Sequence, residues 1–388
     1  MRIDNKLIAI VGGGPAGLTL ARLLQLQDAE VNVYERDINR HARVQGSPLD
    51  MHEHSGLAAL RAAGLLQVFR TTYRPGADRT LILNPQAELL YSDHDTKPAE
   101  NFGHEHFRPE IDRGPLRNML LESLRSDTVV WDSHFLSMEP HGDGWLLHFK
   151  NGTSAYADLV VAADGANSRI RSYLTAIKPM YSGVIMLEGH VAKENAPQIN
   201  ALIKGGKIMA FGNKQNILMG QKGDGELGFY ASFKADENWA VASGLNFSDS
   251  TQVLEWFKRE YVGWNPLWQE LFAHADVPFI PRPIYYMPLD QHWETSPSLT
   301  LIGDAAHVMP PFAGEGANMA MLDALELSEH LSDPRYATLK DAIAAYEDSM
   351  RRRAAAATQE SLDNGERMHS STALETMLGF FGGHAEQI

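Results

Sequence analysis

The chain has 388 residues, 44% hydrophobic and 21% charged, a globular composition long enough for two joined domains or one domain with a large insertion, which excludes the disordered and fibrous classes. Its formal net charge of -15 opposes general affinity for nucleic-acid backbones or anionic lipid, both of which are bound by clustered Lys and Arg. There is no cysteine, so disulfides, thiolate catalysis and Cys-ligated zinc are excluded.

The opening MRIDNKLIAIVGGGPAGLTLARLL resembles an export signal in outline. Asp4 stands in what should be its basic region, and the glycines interrupt the apolar stretch, so export is not expected. No run of about 18 apolar residues occurs, so no membrane span is expected. A cytoplasmic location and a monomer are the expectations.

In chain order, KLIAIV reads as a buried strand, followed by glycines and by AGLTLARLLQLQ. Leu18, Leu20, Leu23, Leu24 and Leu26 mark the latter as a helix buried over much of its surface. VNVYE is the next strand, and the βαβ order predicts an α/β fold with a Rossmann-like parallel sheet. SGLAALRAAGLLQVFR and PLRNMLLESLR each read as a helix. GWLLHFKNGTSAYADLVVAADGA predicts a hairpin about Asn-Gly that runs into a buried strand ending at Asp164.

From about Tyr181 to Tyr286 the runs KIMAFG, NILMGQ, LGFYASF and PRPIYYMPL predict an inserted, mostly antiparallel sheet. SLTLIGDAAH returns to a buried strand. The tail from Leu339, apolar at Ile343, Tyr346 and Met350, predicts one long C-terminal helix with Arg351 to Arg353 on its exposed face. Residues 1–75, 100–178 and 286–338 are therefore expected to form a dinucleotide-binding domain and 76–99 and 179–285 a substrate domain, with 339–388 a bridging helix.

Gly12, Gly14 and Gly17 have the spacing G-x-G-x-x-G, follow a strand, open a helix with Pro15 and Ala16, and are answered by Glu35 at the end of the second strand. The glycines let backbone approach a pyrophosphate at a helix N-terminus, and the carboxylate suits ribose hydroxyls. A second match, Gly223, Gly225 and Gly228 in QKGDGELG, opens no helix and reads as an Asp-Gly hairpin turn. One dinucleotide fold is expected, so a nicotinamide cofactor would have to visit from the surface. GDAAHVMPPFAGEGAN places Asp304 on a tight turn, where it suits cofactor hydroxyls, and bends the chain so that amides near Gly316 open a helix. MHEHSG and GHEHF each contain His-x-His, but no third ligand is convincingly spaced, so no metal is expected. G-x-S-x-G, the serine-hydrolase elbow, is absent, as is the W-x-W-x-I-P run of flavin halogenases.

GGGPAG, VVAADGANSRIR and LIGDAAHVMPPFAGEGAN, in that order, resemble the fingerprints of single-component FAD-dependent aromatic hydroxylases with the para-hydroxybenzoate hydroxylase fold. VYERD, LDMHEHSG and AGLLQ are most similar to the tetracycline-inactivating monooxygenases of that class. The resemblance implies bound FAD, NADPH as reductant and O2 as co-substrate. It implies that Arg36, Asp50 and Arg117 contact FAD or brace its ring, that Asp164 serves FAD and NADPH function, and that Gly303, Pro311, Gly314, Ala317 and Asn318 belong to the cofactor site. Reduced flavin is an anion at its N1 and C2 carbonyl edge, which a helix N-terminus stabilises by about 0.3 to 2 kcal/mol, so no lysine is needed there. The flavin C4a-hydroperoxide is itself the reagent, and no protein nucleophile is expected.

What the chain must supply is a dry, orienting pocket. Met209, Met219, Phe229 and Tyr230 on the inserted strands, Pro311, Phe312 and Gly314 in the loop, and Met377 and Phe380 in the tail are the expected lining. In the tetracycline enzymes an Arg, a His and a Gln present polar groups from this sheet; the matching positions here are Lys207, Gly228, and Leu187 or Glu188. Losing the fork and the imidazole leaves a polar drug edge less well paired. The expected substrate is an aromatic, polycyclic or enol-type small molecule, with tetracyclines the leading example. A flavin dehydrogenase or oxidase on the same fold, and a non-catalytic flavin module, are the alternatives.

Overall fold

Strand Leu7–Val11 is the centre of a five-stranded parallel sheet in the computed structural model, which describes residues 3–42, 48–95, 100–104 and 106–385. The strand order is Leu299–Leu301, Leu159–Ala162, Leu7–Val11, Glu30–Tyr34, Val129–Val130. Ile8 to Val11 and Leu159 to Ala162 are buried without alternation, as strands covered on both faces must be. Helix Pro15–Gln25 covers one face, and helix Gly316–Ser332 packs against it. The predicted hairpin is present as Gly144–Phe149 and Ser154–Ala157, extended to three strands by Phe135–His141.

SGLAALRAAGLLQVFR is not one helix. It forms Gly56–Ala62 and Leu66–Thr72, interrupted at Gly64, whose φ of +75° ends the first helix.

The inserted sheet has seven strands, in the order Ile280–Tyr286, Met180–Val191, Leu227–Lys234, Gln215–Gln221, Lys207–Phe211, Thr80–Leu83, Leu89–Ser92. All its pairs are antiparallel except Lys207–Phe211 with Thr80–Leu83. QKGDGELG forms the expected turn between two strands, with Gly225 at φ +93°.

Alternation sorts this sheet into two faces. Ile185, Leu187, Ile208, Ala210, Ile217, Met219, Phe229 and Ala231 point into one buried core, against helices Ser250–Glu260 and Gln269–Ala273. Phe229 lies 5.2 Å from the Phe272 ring and 6.3 Å from that of Phe279. The opposite face carries Met209, Phe211 and Leu218, which pack with Phe312, Met368, Leu374, Met377 and Phe381.

The C-terminal region is two helices, Leu339–Met368 and Ala373–Ala385, rather than one. Thr338 and Asp341 form a reciprocal capping box at the start. The first helix ends at His369, where Nδ1 bonds the Gly365 carbonyl at 2.7 Å and Nε2 lies 2.7 Å from Ser232 Oγ. Of the three arginines expected outside, only Arg352 is well exposed. Arg351 stacks over Trp293, and Arg353 is turned inward to Asp323 and Glu326 at 2.7 and 2.6 Å. Among the described residues no helix is long and apolar enough to cross a membrane.

Candidate active site

The three fingerprints meet because each ends a strand of the parallel sheet on the same side. A Cβ on Gly12, at φ +114°, would stand 2.2 Å from the Ala163 carbonyl, so only glycine lets the first turn lie against the Asp164 turn. A Cβ on Gly17 would meet the Gly12 carbonyl at 2.1 Å, whereas one on Gly14 would meet nothing within 4 Å. The space over Gly14, at the N-terminus of Pro15–Gln25, is where a phosphate fits. No acidic residue or side-chain cap occupies that helix start.

Glu35, 1% exposed, accepts from the Gly13 amide at 2.5 Å and the Asp37 amide at 3.0 Å. It therefore braces the glycine turn from behind. Arg117, also buried, donates to the carbonyls of Gly13 and Arg40 and to Asp37 at 3.0 Å. Its place is beside the glycine turn, while Arg36 is exposed.

Asp164 Oδ2 accepts from the Arg169 amide at 3.0 Å, while Oδ1 is buried without a hydrogen-bond partner among the described residues. Burial pushes this carboxyl above its usual range. Such an oxygen, at the edge of the glycine turn, is an acceptor ready for a ligand hydroxyl.

Arg171, which the sequence reading passed over, ties the middle fingerprint to the last. It donates to the carbonyls of Ala166, Asp304 and Ala305 at 3.0, 2.9 and 2.7 Å. Asp323 holds the same turn from the other side: one oxygen accepts from the Gly303 amide at 2.8 Å and lies 2.5 Å from His307 Nε2, and the other accepts from Arg353. Burial opposes charge on His307, but Asp323 outweighs it and holds the imidazole above its usual range. Asp304 is thereby presented, exposed, from a fixed turn, and its charge is felt by Arg113.

Further on, Gly314 at φ +69° sits against Asp50, whose Oδ1 would be 3.1 Å from a Cβ there. Helix Gly316–Ser332 starts with no acidic residue in its first turn, and a Cβ on Gly316 would meet nothing within 4 Å. The helix has no side-chain cap, and its first two amides are those of Gly316 and Ala317. The Asn318 side chain is fully buried, donating to the carbonyls of Asp50 and Gly314 and accepting from the His52 amide at 2.9 Å.

On the sheet side, the structure corrects several expectations. Leu187, Met219 and Phe229 belong to the core behind the sheet, because alternation turns them away from the loop that holds Phe312. Glu188, not Leu187, faces forward: it is bonded to Arg282 and His190, and its charge reaches Arg113. Tyr230, opposite Glu188 in register, shares this face and also acts on Arg113. Phe380 is 54% exposed, and its neighbour Phe381 packs instead, 5.7 Å from Tyr91.

Lys207 is on the forward face but is ion-paired with the buried Glu110. The two-stranded pairing of Leu49–Asp50 with Glu110–Ile111 sets Asp50 opposite Glu110, and Lys207 serves both carboxylates. Burial would lower the Lys207 ammonium; the two acids outweigh it and hold it raised. Asp50 is held well below its usual range, since Lys207, His52 and Arg108 outweigh its burial.

Met209, Leu218, Phe312 and Met377 form the apolar wall. Phe312 is wedged by the long helix: a Cβ on Gly365 would touch it at 2.8 Å, its carbonyl accepts from Asn364, and Ser361 Oγ donates to the Pro310 carbonyl at 2.5 Å. Pro311 is exposed at the start of that short turn. Gly228 pairs with His190 on one side and with Gly220 on the other, and a Cβ on Gly220 would meet nothing within 4 Å, so the two glycines leave a dip in the wall flanked by His190 and Lys207. A separate cavity of about 690 Å³, lined by Phe233, Trp239, Trp256 and Trp264, touches none of these residues.

A glycine turn on a parallel sheet, two strand-end carboxylates and a second sheet facing an open helix start define a dinucleotide-cofactor enzyme whose cofactor is presented to an inserted substrate sheet. Residues 6–188 and 291–361, more than half of the chain, match the family described as FAD binding domain, and the chain belongs to that family. It is 29% identical over 381 residues to the monooxygenase penA of Penicillium thymicola, with 85% of each chain covered. It is 28% identical over 374 residues to the 3-amino-4-hydroxybenzoate 2-monooxygenase PtmB3 of Streptomyces platensis, covering 93% of this chain and 88% of that one. The crystal structure of tetracycline destructase Tet(55) superposes with a TM-score of 0.77 at 18% identity, covering 100% and 97% of the two chains. The fold is that of para-hydroxybenzoate hydroxylase, and the protein is an FAD-dependent monooxygenase.

Proposed function

We propose that this monooxygenase uses NADPH and O2 to hydroxylate an aromatic, polycyclic or enol-type small molecule, tetracyclines included among the compounds to test. When bound, FAD supplies the electron transfer and oxygen activation that no side chain here can. The residues present fit that group: the space over Gly14 takes a phosphate, the unpaired Asp164 oxygen and the exposed Asp304 take hydroxyls, and the Gly316 and Ala317 amides take negative charge. Glu35 and Arg117 keep the glycine turn in shape.

The chain's further work is to hold the substrate and exclude water. Met209, Leu218, Phe312 and Met377 offer an apolar wall, and Tyr230, Arg113 and Glu188 a polar one. With Lys207 occupied by Glu110, the polar groups that face a substrate from this side are Tyr230, Arg113 and the Glu188–His190 pair. That favours a compact phenol or enol over a ligand needing many donors from the sheet. The division into an FAD-binding part, an inserted substrate part and a C-terminal bridge follows from the same reading, as do a monomeric state and a cytoplasmic location.

The observation that carries this reading is the convergence of the glycine turn, Asp164 and the Asp304 turn beside an open helix start facing the inserted sheet. Purified protein is screened with phenolic, enolic and tetracycline-like ligands for stimulated NADPH oxidation under 18O2. A product heavier by one oxygen atom and carrying the label is expected. Desaturated product without label would favour the dehydrogenase or oxidase alternative.

A further inference from the structure

We propose that His52, as an imidazolium, is the positioning residue that pins the start of the Gly316 helix to the Leu49–His52 segment; the inference rests on FAD occupying the groove as argued above.

His52 is 8% exposed, and both ring nitrogens are engaged: Nε2 lies 3.1 Å from Asp50 Oδ2 and Nδ1 3.1 Å from Glu315 Oε1. An ionised carboxylate can only accept. Two such contacts require an N–H on each ring nitrogen, and a ring with both is cationic. The surroundings agree. Burial and Arg108 oppose the charge, while Asp50 and Glu315 outweigh them and raise the ring to about 8. The charged groups about the ring are Asp50 on its own segment, Glu315 from the helix start and Arg108; Asp50 is in turn shared with Lys207 from the sheet and stands opposite Glu110, whose carboxyl burial pushes up to about 7.

The ring is half of a double attachment. The His52 amide donates to Asn318 Oδ1, and Asn318 Nδ2 donates back to the carbonyls of Asp50 and Gly314. The Asn318 bonds are neutral and insensitive to pH. Among the described residues only His52 Nδ1 bonds the Glu315 side chain, whose second oxygen is buried without a hydrogen-bond partner there. Deprotonated, the ring keeps one N–H and serves one acid, and the other is left without a donor on the ring. The Gly314–Glu315 backbone immediately before the flavin-facing amides is then held from one side only.

The sign follows. If FAD seats the loop and tightens the clip, the proton on His52 and FAD favour one another, so affinity is highest below the titration and falls as pH rises through about 8. A one-unit difference in His52 pKa between the free and FAD-bound protein is a tenfold change in affinity.

The test measures FAD affinity by flavin fluorescence from about pH 6 to about pH 9.5 for wild type and His52→Gln, and the histidine ring 15N shifts of the wild-type protein near pH 7. Wild type should lose affinity by about tenfold with a midpoint near 8. His52→Gln, which has a donor but no charge, should bind at the weak level throughout, with no titration. The His52 nitrogens should show an imidazolium. A flat wild-type profile, a His52→Gln variant that keeps the wild-type slope, or a neutral His52 ring would overturn the proposal. Should the variant not fold, the wild-type profile and ring shifts decide alone. Wild type that binds no FAD at any pH would instead sink the cofactor reading, leaving the ring measurement to judge the clip.

Discussion

Gly12 shows how much of the cofactor groove hangs on single residues. Its positive φ and its contact with the Ala163 carbonyl leave no room for a side chain, so Gly12→Ala must move either the first turn or the Asp164 turn. We expect that variant to fold less stably and to be purified without yellow colour, as read from its visible spectrum. Asp323 is the second such residue. It satisfies the buried Gly303 amide and His307, and it shares Arg353 with Glu326. Asp323→Ala leaves the buried His307 imidazole without its acid and Arg353 with Glu326 alone, and breaking a buried pair in this way costs about 3 to 5 kcal/mol. Urea unfolding of the variant should show a loss of that size, and a loss below about 1 kcal/mol, the level of exposed pairs, would contradict the role given to it. Neither Asp323 nor Arg171 was legible in the sequence. Each acts on a strand-end turn that is distant along the chain or reached only by main-chain carbonyls, and nothing in local spacing signals such a reach.

At the scale of elements, the inserted sheet separates pocket from core by alternation alone. Phe229 and Met209 look equivalent in the sequence, both apolar and both mid-strand, but they stand on opposite faces. Phe229→Ala should cost about 3 to 5 kcal/mol of stability, measured by thermal or urea unfolding, and leave the KM for substrate nearly unchanged. Met209→Ala should raise KM or release more unproductive NADPH oxidation, through a wetter pocket. Reversal of these two effects would mean that the faces are misassigned. Four strands of the inserted sheet, the hairpin at Asn151-Gly152 and the βαβ start were readable, because each combines an apolar period with its own turn residues, whereas Met180–Val191, Thr80–Leu83 and Leu89–Ser92 were not read as strands. Which face looks at the flavin loop was not readable, because that depends on which neighbour each strand finds. The C-terminal break at His369 was hidden for a related reason: the helix ends through tertiary bonds to Ser232 and Asn216 rather than at a glycine or proline.

The whole molecule is arranged so that one long helix spans both sheets. Leu339–Met368 meets the Asp304 turn through Arg353 and Asp323, and the flavin loop through Ser361, Asn364 and Gly365. Gly365→Val tests that arrangement, since its side chain would intrude on the Phe312 ring. Overpacking of this kind costs about 1 to 3 kcal/mol. The variant should keep its FAD while losing tight coupling of NADPH oxidation to product formation, measured as product formed per NADPH consumed. Unchanged coupling would show that Phe312 is not part of the water-excluding wall.

The most direct measurement is the flavin content of the purified protein, taken as the visible spectrum after incubation with excess FAD and removal of unbound cofactor. One FAD per chain in the wild type, lost in Gly12→Ala, is the predicted result. A folded wild-type protein that stays colourless would contradict the account.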